Sequence, residues 1–215
     1  LATGSSPLGL YKKMIESYQK DQVSYKNTEV LNLDEYIGLS EQDPNKYSHF
    51  LHHHLLDHAD FSKDNIDLIM AKQGNVQEEC QRYHNLLISN PVDIQILGLG
   101  SNCHIGFNEP GTNFDSQTHI VKLKEDTRKN NARFFSSLDQ VPKEAITVGI
   151  RDIMSAQHIL LVASGKQKAE AVKRMLEEDI CTDCPASILR VHKSVTIILD
   201  EEAASLLKKE RGELC

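Results

Sequence analysis

Val92-Asp-Ile-Gln-Ile-Leu-Gly-Leu-Gly100 is the stretch from which the fold is read. It is short, rich in β-branched residues, and closes on two glycines one residue apart. A run of that length bounded by glycine predicts a strand over Val92–Leu99. The same signals predict strands at Glu29–Leu33, Ile120–Leu123, Ile146–Gly149, Ile159–Ser164 and Val195–Leu199. Several of these are continuous apolar runs rather than alternating ones. That pattern suits a parallel sheet buried on both faces. Helix patterns fall around them at Pro7–Lys20, Asn45–Leu56, Val76–Ser89, Gln167–Glu178 and Glu201–Lys209. In the fourth, Ala171, Val172, Met175 and Leu176 share one helical face. Alternating strands and helices predict an α/β layered fold. With no repeat, long linker or low-complexity stretch, residues 1–215 are expected to form one domain.

Bulk properties remove several function classes. The 215 residues are 40% hydrophobic and 26% charged, with a net charge of −7. A broad nucleic-acid surface needs a basic face, so nucleic acid is not an expected partner. An anionic small molecule stays possible, because one or two local cations suffice. Apolar runs such as Ile159–Ala163 are far too short to span a membrane. No secretory signal opens the chain, and the five cysteines are an odd number, so a cytoplasmic location with free thiols is expected. Cys181-x-x-Cys184 is a lone pair and reads as loop cysteines ahead of zinc or redox work.

In open parallel sheets, ligands bind beyond the carboxyl ends of the strands. Three such places carry polar chemistry. Leu1-Ala-Thr-Gly-Ser-Ser-Pro7 runs into a helix: Gly4 allows a tight turn, and Ser5 and Ser6 offer hydroxyls and N–H groups at the positive end of the helix dipole. It reads as an anion site or as a plain serine cap. Leu31-Asn-Leu-Asp34-Glu35-Tyr36 ends a strand in two carboxylates, either a general base at the crevice or a helix cap. Gly98-Leu-Gly100 lets the backbone approach a ligand, and Asn102, His104, Asn108 and Glu109 follow. A histidine near a glutamate shares and tunes a proton; the other reading is a polar loop with a structural histidine. Arg133 and Lys168 are candidate phosphate cations, against the surface role of most such residues. His52-His53-His54 sits in a predicted helix, where neighbours point in different directions, so no metal site is expected there.

The chain resembles the glucosamine-6-phosphate deaminase family, which shares its fold with 6-phosphogluconolactonases. The likeness runs from Leu1 to about Leu206. It is carried by Ala2-Thr-Gly-Ser-Ser-Pro7, Leu33-Asp-Glu-Tyr-Ile-Gly38, Gly98-Leu-Gly100, His104-Ile-Gly-Phe-Asn-Glu-Pro-Gly111, Asp126-Thr-Arg128, Ala132-Arg-Phe-Phe135, Val141-Pro142, Ala145-Ile-Thr-Val-Gly149 and Ser164-Gly-Lys-Gln-Lys168. The run from His104 to Pro110 separates deaminases from lactonases. The resemblance implies a three-layer α/β/α, Rossmann-like fold with a mostly parallel sheet. It implies conversion of glucosamine 6-phosphate and water to fructose 6-phosphate and ammonia in amino-sugar catabolism, without metal or organic cofactor. It implies Asp34 as the base between C2 and C1, His104 as the ring-opening group, Glu109 as its orienting carboxylate, and Asn102 in the same set. Gly4, Ser5, Ser6, Arg133 and Lys168 match the phosphate pocket. A lactonase-like hydrolase and an inactive sugar-phosphate binder are the alternatives.

The chain also departs from the family pattern. Asn102 stands where many members carry Asp, and Asn exchanges no proton at neutral pH. Cys103 stands where Gly is usual; a positive φ there costs about 1–2 kcal/mol. Members carry a strand, a helix and most of another strand ahead of the position of Leu1, elements this sequence is expected to lack. Allosteric hexamers of the family bind their activator through basic residues after Pro110. Residues 111–121 here contain no Arg or Lys, so an unregulated monomer or weak homo-oligomer is expected.

Overall fold

The computed structural model describes residues 1–72, 74–132 and 135–208. In chain order the elements are α1 (Leu8–Gln19), β1 (Asp34–Tyr36), α2 (Tyr47–His54), α3 (Val76–Ser89), β2 (Ile94–Gly98) and β3 (His119–Lys122). They continue with α4 (Glu125–Asn131), β4 (Glu144–Thr147), α5 (Ile150–Met154), β5 (His158–Ala163), α6 (Ala169–Glu177) and β6 (Val195–Leu199). The fold is mixed α/β. Strands β2, β5 and β6 form a parallel sheet in the order β2-β5-β6, with Ile96 opposite Leu160 and Leu161 opposite Ile197. Parallel neighbours need a crossover, and α6 lies in the one from β5 to β6.

Amphipathic helices and strands share one apolar cluster. On β5, Ile159, Leu161 and Ala163 are buried in alternation. On α6, Ala171, Val172 and Met175 are buried, the face the sequence spacing marks. On α3, Cys80, Tyr83 and Leu87 recur at helical spacing and are buried. All nine belong to the same core. Each large apolar side chain so buried contributes about 1.5–3 kcal/mol. Among the described residues, no helix is long and apolar enough to cross a membrane.

A second sheet, in the order β1-β4-β3, includes the expected strands at Ile120–Leu123 and Ile146–Gly149, but it is antiparallel, which the apolar runs of the sequence do not announce. Asp34 lies opposite Thr147, and Ile120 opposite Ile146. The expected strand at Glu29–Leu33 is not one: only Val30 makes a ladder bridge, to Ile66. Val30 and Leu33 keep backbone partners, and the break comes at Asn32. The N–H of Asn32 reaches the hydroxyl of buried Tyr83 at 2.9 Å, and Asn32 Oδ1 accepts from Ile69 N–H at 2.8 Å. The ladder begins instead at Asp34. The expected helix at Glu201–Lys209 is a series of turns as far as Leu206, because the carboxylate of Asp200 takes the N–H of Ala203 and ties the chain to Gly165; Lys209 lies outside the described residues. Helix α4 goes unpredicted because Glu125-Asp-Thr-Arg-Lys-Asn-Asn131 has no apolar face.

Candidate active site

The carboxyl ends of β1 and β2, the start of α1 and the start of α6 converge on a cavity of about 490 Å³. Gly4, Ser5, Ser6, Asp34, His104 and Lys168 all line it. Gly4 has φ of +85°, the turn that its lack of a Cβ allows. Ser6 packs against the end of β2: a Cβ on Gly98 would lie 3.7 Å from the Ser6 side chain. The turn thus delivers its serines and the N-terminus of the 12-residue helix α1 to the cavity rim, an anion-binding arrangement. Lys168, at the entry to α6, faces the same space. Arg133 lies outside the described residues.

The two adjacent carboxylates point apart because successive strand residues face opposite sides. Asp34 lines the cavity, 6% exposed. Its main-chain oxygen is held by Asn32 Nδ2 at 2.9 Å, which fixes where β1 begins. Burial, and then the neighbouring charge of Glu35, push the Asp34 carboxyl up to about 8. Glu35 turns the other way. Its carboxylate accepts the N–H groups of Tyr47 at 2.9 Å and Ser48 at 3.0 Å. These are first-turn groups of α2 that have no partner within the helix, so Glu35 caps α2 from a distant strand.

The loop after β2 carries the proton-handling chain. Gly100 N–H bonds to His104 O at 2.9 Å and closes the loop on itself. A Cβ on Gly100 would lie 2.4 Å from the His104 ring, so the imidazole occupies space only glycine leaves. Cys103 has φ of +71°, the left-handed conformation. Its thiol is buried beside Cys184 and 3.8 Å from Ala171 O. Cys181 faces solvent, so the two cysteines of the Cys-x-x-Cys pair point apart. Asn102 Oδ1 lies 2.6 Å from His104 Nδ1 and also accepts the His104 N–H at 3.3 Å. Asn102 Nδ2 donates to Glu109 Oε2 at 2.7 Å, while Glu109 and His104 stand 3.8 Å apart. Asn102 and Glu109 therefore sit behind His104 rather than in the cavity lining.

This orientation follows from chemistry. An ionised carboxylate only accepts, so the amide nitrogen of Asn102 must face Glu109. Its oxygen then faces His104 Nδ1, which must carry the proton. The neutral ring keeps Nε2 as its basic nitrogen. Burial pushes the His104 imidazolium below its ordinary range, Glu109 opposes this, and Lys168 and Lys124 reinforce it. Asn108 has a different part: its Nδ2 bonds to Ile105 O at 2.9 Å and Val148 O at 2.8 Å, pinning the loop to β4's exit.

Several lining residues are given no site role from the sequence, although Tyr36, Phe107, Phe135 and Thr127 stand within the family motifs. Tyr36, Tyr47, Phe107 and Phe135 pack ring on ring along one wall, and all four line the cavity. Burial raises the Tyr36 phenol to about 12, so it stays neutral; its hydroxyl accepts from Tyr47 at 3.1 Å and from Asn131 Nδ2 at 2.8 Å. Thr127 and Asn131 come from α4, one turn apart, and both reach the cavity. Helical spacing pairs these two once α4 is recognised, but a polar helix hides itself. The three histidines hold no common ligand: His52 pairs with Asp57, His53 O accepts from His58, and His54 packs on Phe50. Among the described residues, no cluster of three His, Cys, Asp or Glu side chains is placed to hold a metal.

The chain is similar to known proteins over most of its length. A family model described as glucosamine-6-phosphate isomerases/6-phosphogluconolactonase matches residues 1–198. A glucosamine-6-phosphate deaminase of Geobacillus sp. (strain WCH70) is 47% identical over 215 residues, covering 100% of this chain and 86% of the relative. A solved structure described as a monomeric glucosamine-6-phosphate deaminase superposes with a TM-score of 0.93 at 48% identity, over 96% of this chain and 86% of that one. A 6-phosphogluconolactonase from Leishmania guyanensis superposes at 0.70 with 22% identity, over 97% of this chain and 85% of that one; this likeness shows the fold alone.

Proposed function

The chain belongs to the glucosamine-6-phosphate isomerase/6-phosphogluconolactonase family, and we infer that it acts as a glucosamine-6-phosphate deaminase. It converts glucosamine 6-phosphate and water to fructose 6-phosphate and ammonia. The observation that carries the reading is one cavity bordered by two separate proton-handling groups, Asp34 and the Glu109–Asn102–His104 chain.

The reaction needs both. Nε2 of His104 takes the proton from O1 of the pyranose and delivers it to O5 as the C1–O5 bond breaks, opening the ring. Asp34 takes the proton from C2 while O1 of the open-chain aldehyde gains one, giving an enolamine; Asp34 then returns its proton to C1 as the nitrogen gives one up, so C1 becomes CH2OH and an imine stands at C2. Water adds across the C2 imine to give a carbinolamine; its C–N bond breaks as the C2 hydroxyl proton passes to nitrogen, leaving the C2 ketone of fructose 6-phosphate and ammonia. The phosphate is remote from these atoms. Gly4, Ser5, Ser6 and Lys168, with Arg133, hold it and so position the sugar.

Residues 1–215 act as one catalytic domain that uses neither metal nor organic cofactor, with the sugar phosphate as its partner. It works as a cytoplasmic monomer or weak homo-oligomer. The monomeric description of the 48%-identical structure supports the oligomeric reading, and the free thiols Cys80, Cys103, Cys181 and Cys184 support the location. A coupled ammonia assay on purified protein tests the function. Ammonia release from glucosamine 6-phosphate with a hyperbolic rate curve is expected. Hydrolysis of 6-phosphogluconolactone without ammonia, or saturable sugar-phosphate binding without turnover, would overturn it.

A further inference from the structure

Thr127 belongs to none of the groups that handle the substrate, yet it reaches the proton-handling chain. It lies on α4, 6% exposed, and its Oγ1 donates to Glu109 Oε1. The other carboxylate oxygen, Oε2, accepts from Asn102 Nδ2 at 2.7 Å. Both oxygens of Glu109 are therefore engaged, one by a helix and one by the catalytic loop. A carboxylate held at one oxygen turns about its terminal bond; held at both, it cannot turn without losing a charge-assisted hydrogen bond.

The consequence runs along the chain. The Thr127 hydroxyl donates to Glu109, Asn102 donates to Glu109, and His104 Nδ1 donates to Asn102. Each link has only one sensible direction, because the carboxylate at the far end cannot donate. Release of Glu109 lets the Asn102 amide turn, and the proton on the imidazole is then free to sit on either nitrogen. The dock is not confined to one bond. Asn131, four residues on, donates to the Tyr36 hydroxyl at 2.8 Å, so the same face of α4 grips two walls of the site.

Resting on the deaminase reading, we propose that Thr127 is a positioning residue for ring opening. By fixing the Glu109 carboxylate it keeps the Asn102 amide turned one way and the His104 proton on Nδ1, leaving Nε2 to work on O1 and O5. The charged groups acting on His104 are Glu109, which favours the imidazolium, and Lys124 and Lys168, which oppose it. Loosening Glu109 weakens the favourable partner alone, so the imidazole then titrates at lower pH.

The test compares wild type, Thr127→Val, which keeps the shape and removes the hydroxyl, and Thr127→Ser, which restores it. Nitrogen-15 NMR reads the His104 tautomer and its titration, with the signal assigned by its loss in His104→Asn. Steady-state ammonia release reads kcat and KM on glucosamine 6-phosphate. Thr127→Val is expected to lower kcat about tenfold with KM changed less than about twofold, and Thr127→Ser to recover to within about threefold of wild type. In the NMR arm, wild type shows Nδ1–H and the valine variant a mixture titrating at lower pH. Should Thr127→Val not fold, Thr127→Ala removes the same hydroxyl with less bulk and carries the same expectation. A valine variant with wild-type kcat and an unchanged tautomer overturns the proposal. So does a serine variant as impaired as the valine one, or a loss of rate with no change at His104. If wild type itself releases no ammonia, the deaminase reading fails, while the NMR arm still decides whether Thr127 controls His104.

Discussion

Asn102 stands between Glu109 and His104, its amide nitrogen 2.7 Å from the carboxylate and its oxygen 2.6 Å from Nδ1. The 3.8 Å from Glu109 to His104 is too long for a direct hydrogen bond, so the carboxylate acts on the imidazole through the amide. An asparagine that exchanges no proton can still set the direction of a chain.

Asn102→Leu removes the link with little change in volume. Its kcat for ammonia release is expected to fall about 100-fold with KM little changed. Asn102→Asp restores a polar link: two adjacent carboxyl groups share one proton, and kcat is expected to stay within about tenfold of wild type. Steady-state kinetics on the two variants decides this; a fully active leucine variant would remove Asn102 from the mechanism.

In its proposed role Asp34 must be ionised to take a proton from C2, and burial holds its carboxyl up to about 8. The kcat/KM profile is therefore expected to rise with pH and level off above that value. Asp34→Asn is expected to lower kcat by about 10²–10⁴-fold, the range for loss of a placed base. A flat profile from pH 6 to 9, or near-normal turnover in the asparagine variant, contradicts the role.

The same shift has an effect on stability. The folded Asp34 keeps its proton up to about pH 8, whereas the unfolded chain loses it near about 3.9. The folded state thus binds more protons across that window, and stability falls as pH rises through it. Asp34→Asn has no such dependence. Its melting temperature is expected to exceed that of wild type at pH 8.5, with the gap closing towards pH 4.5, in paired thermal scans.

Glu35 predicts the opposite division of effects. Its buried carboxylate satisfies Tyr47 N–H and Ser48 N–H at the start of α2. Glu35→Ala leaves those groups without a partner and is expected to cost about 2–4 kcal/mol in urea denaturation. Neighbouring carboxylates would thus separate in experiment, Asp34 by rate and Glu35 by stability.

Cys103 combines a left-handed backbone, φ of +71°, with a side chain buried against α6. Cys103→Ala keeps the strain and empties the thiol's space. Cys103→Gly empties the space but removes the strain, worth about 1–2 kcal/mol. The expected order of stability places the glycine variant above the alanine variant. Denaturant midpoints that fall steadily from Cys through Ala to Gly would show that strain is not stored there.

Much of the site was legible because it follows strands and glycines. Gly4, Ser5, Ser6, His104 and Lys168 sit just after or between recognisable elements, where an α/β fold places its ligands. Cys103 does take the positive φ that strains a residue with a Cβ. Thr127 stands in the family run Asp126-Thr-Arg128 but without a role, and Asn131 and Tyr47 were not legible: α4 has no apolar periodicity, and nothing near Tyr47 in sequence marks it as a wall of the cavity. Glu29–Leu33 reads as a strand but is not one: Val30 and Leu33 keep backbone partners, whereas the Asn32 N–H goes to the Tyr83 hydroxyl, 51 positions away, and breaks the ladder a pattern presumes.

The order of amino acids by itself determined the α/β class, the strand ends that carry chemistry and the family motif from His104 to Pro110. Periodicity and turn chemistry are local properties, and they act before any distant contact forms. The family resemblance singles out Asp34; tertiary structure alone decided that Glu35 turns away to cap α2, that Asn102 lies between Glu109 and His104, and that Thr127 closes the chain from α4. Those relations depend on β1 pairing with β4 and on α4 docking across the loop, and hydrogen-bond direction has no meaning until both partners are in place.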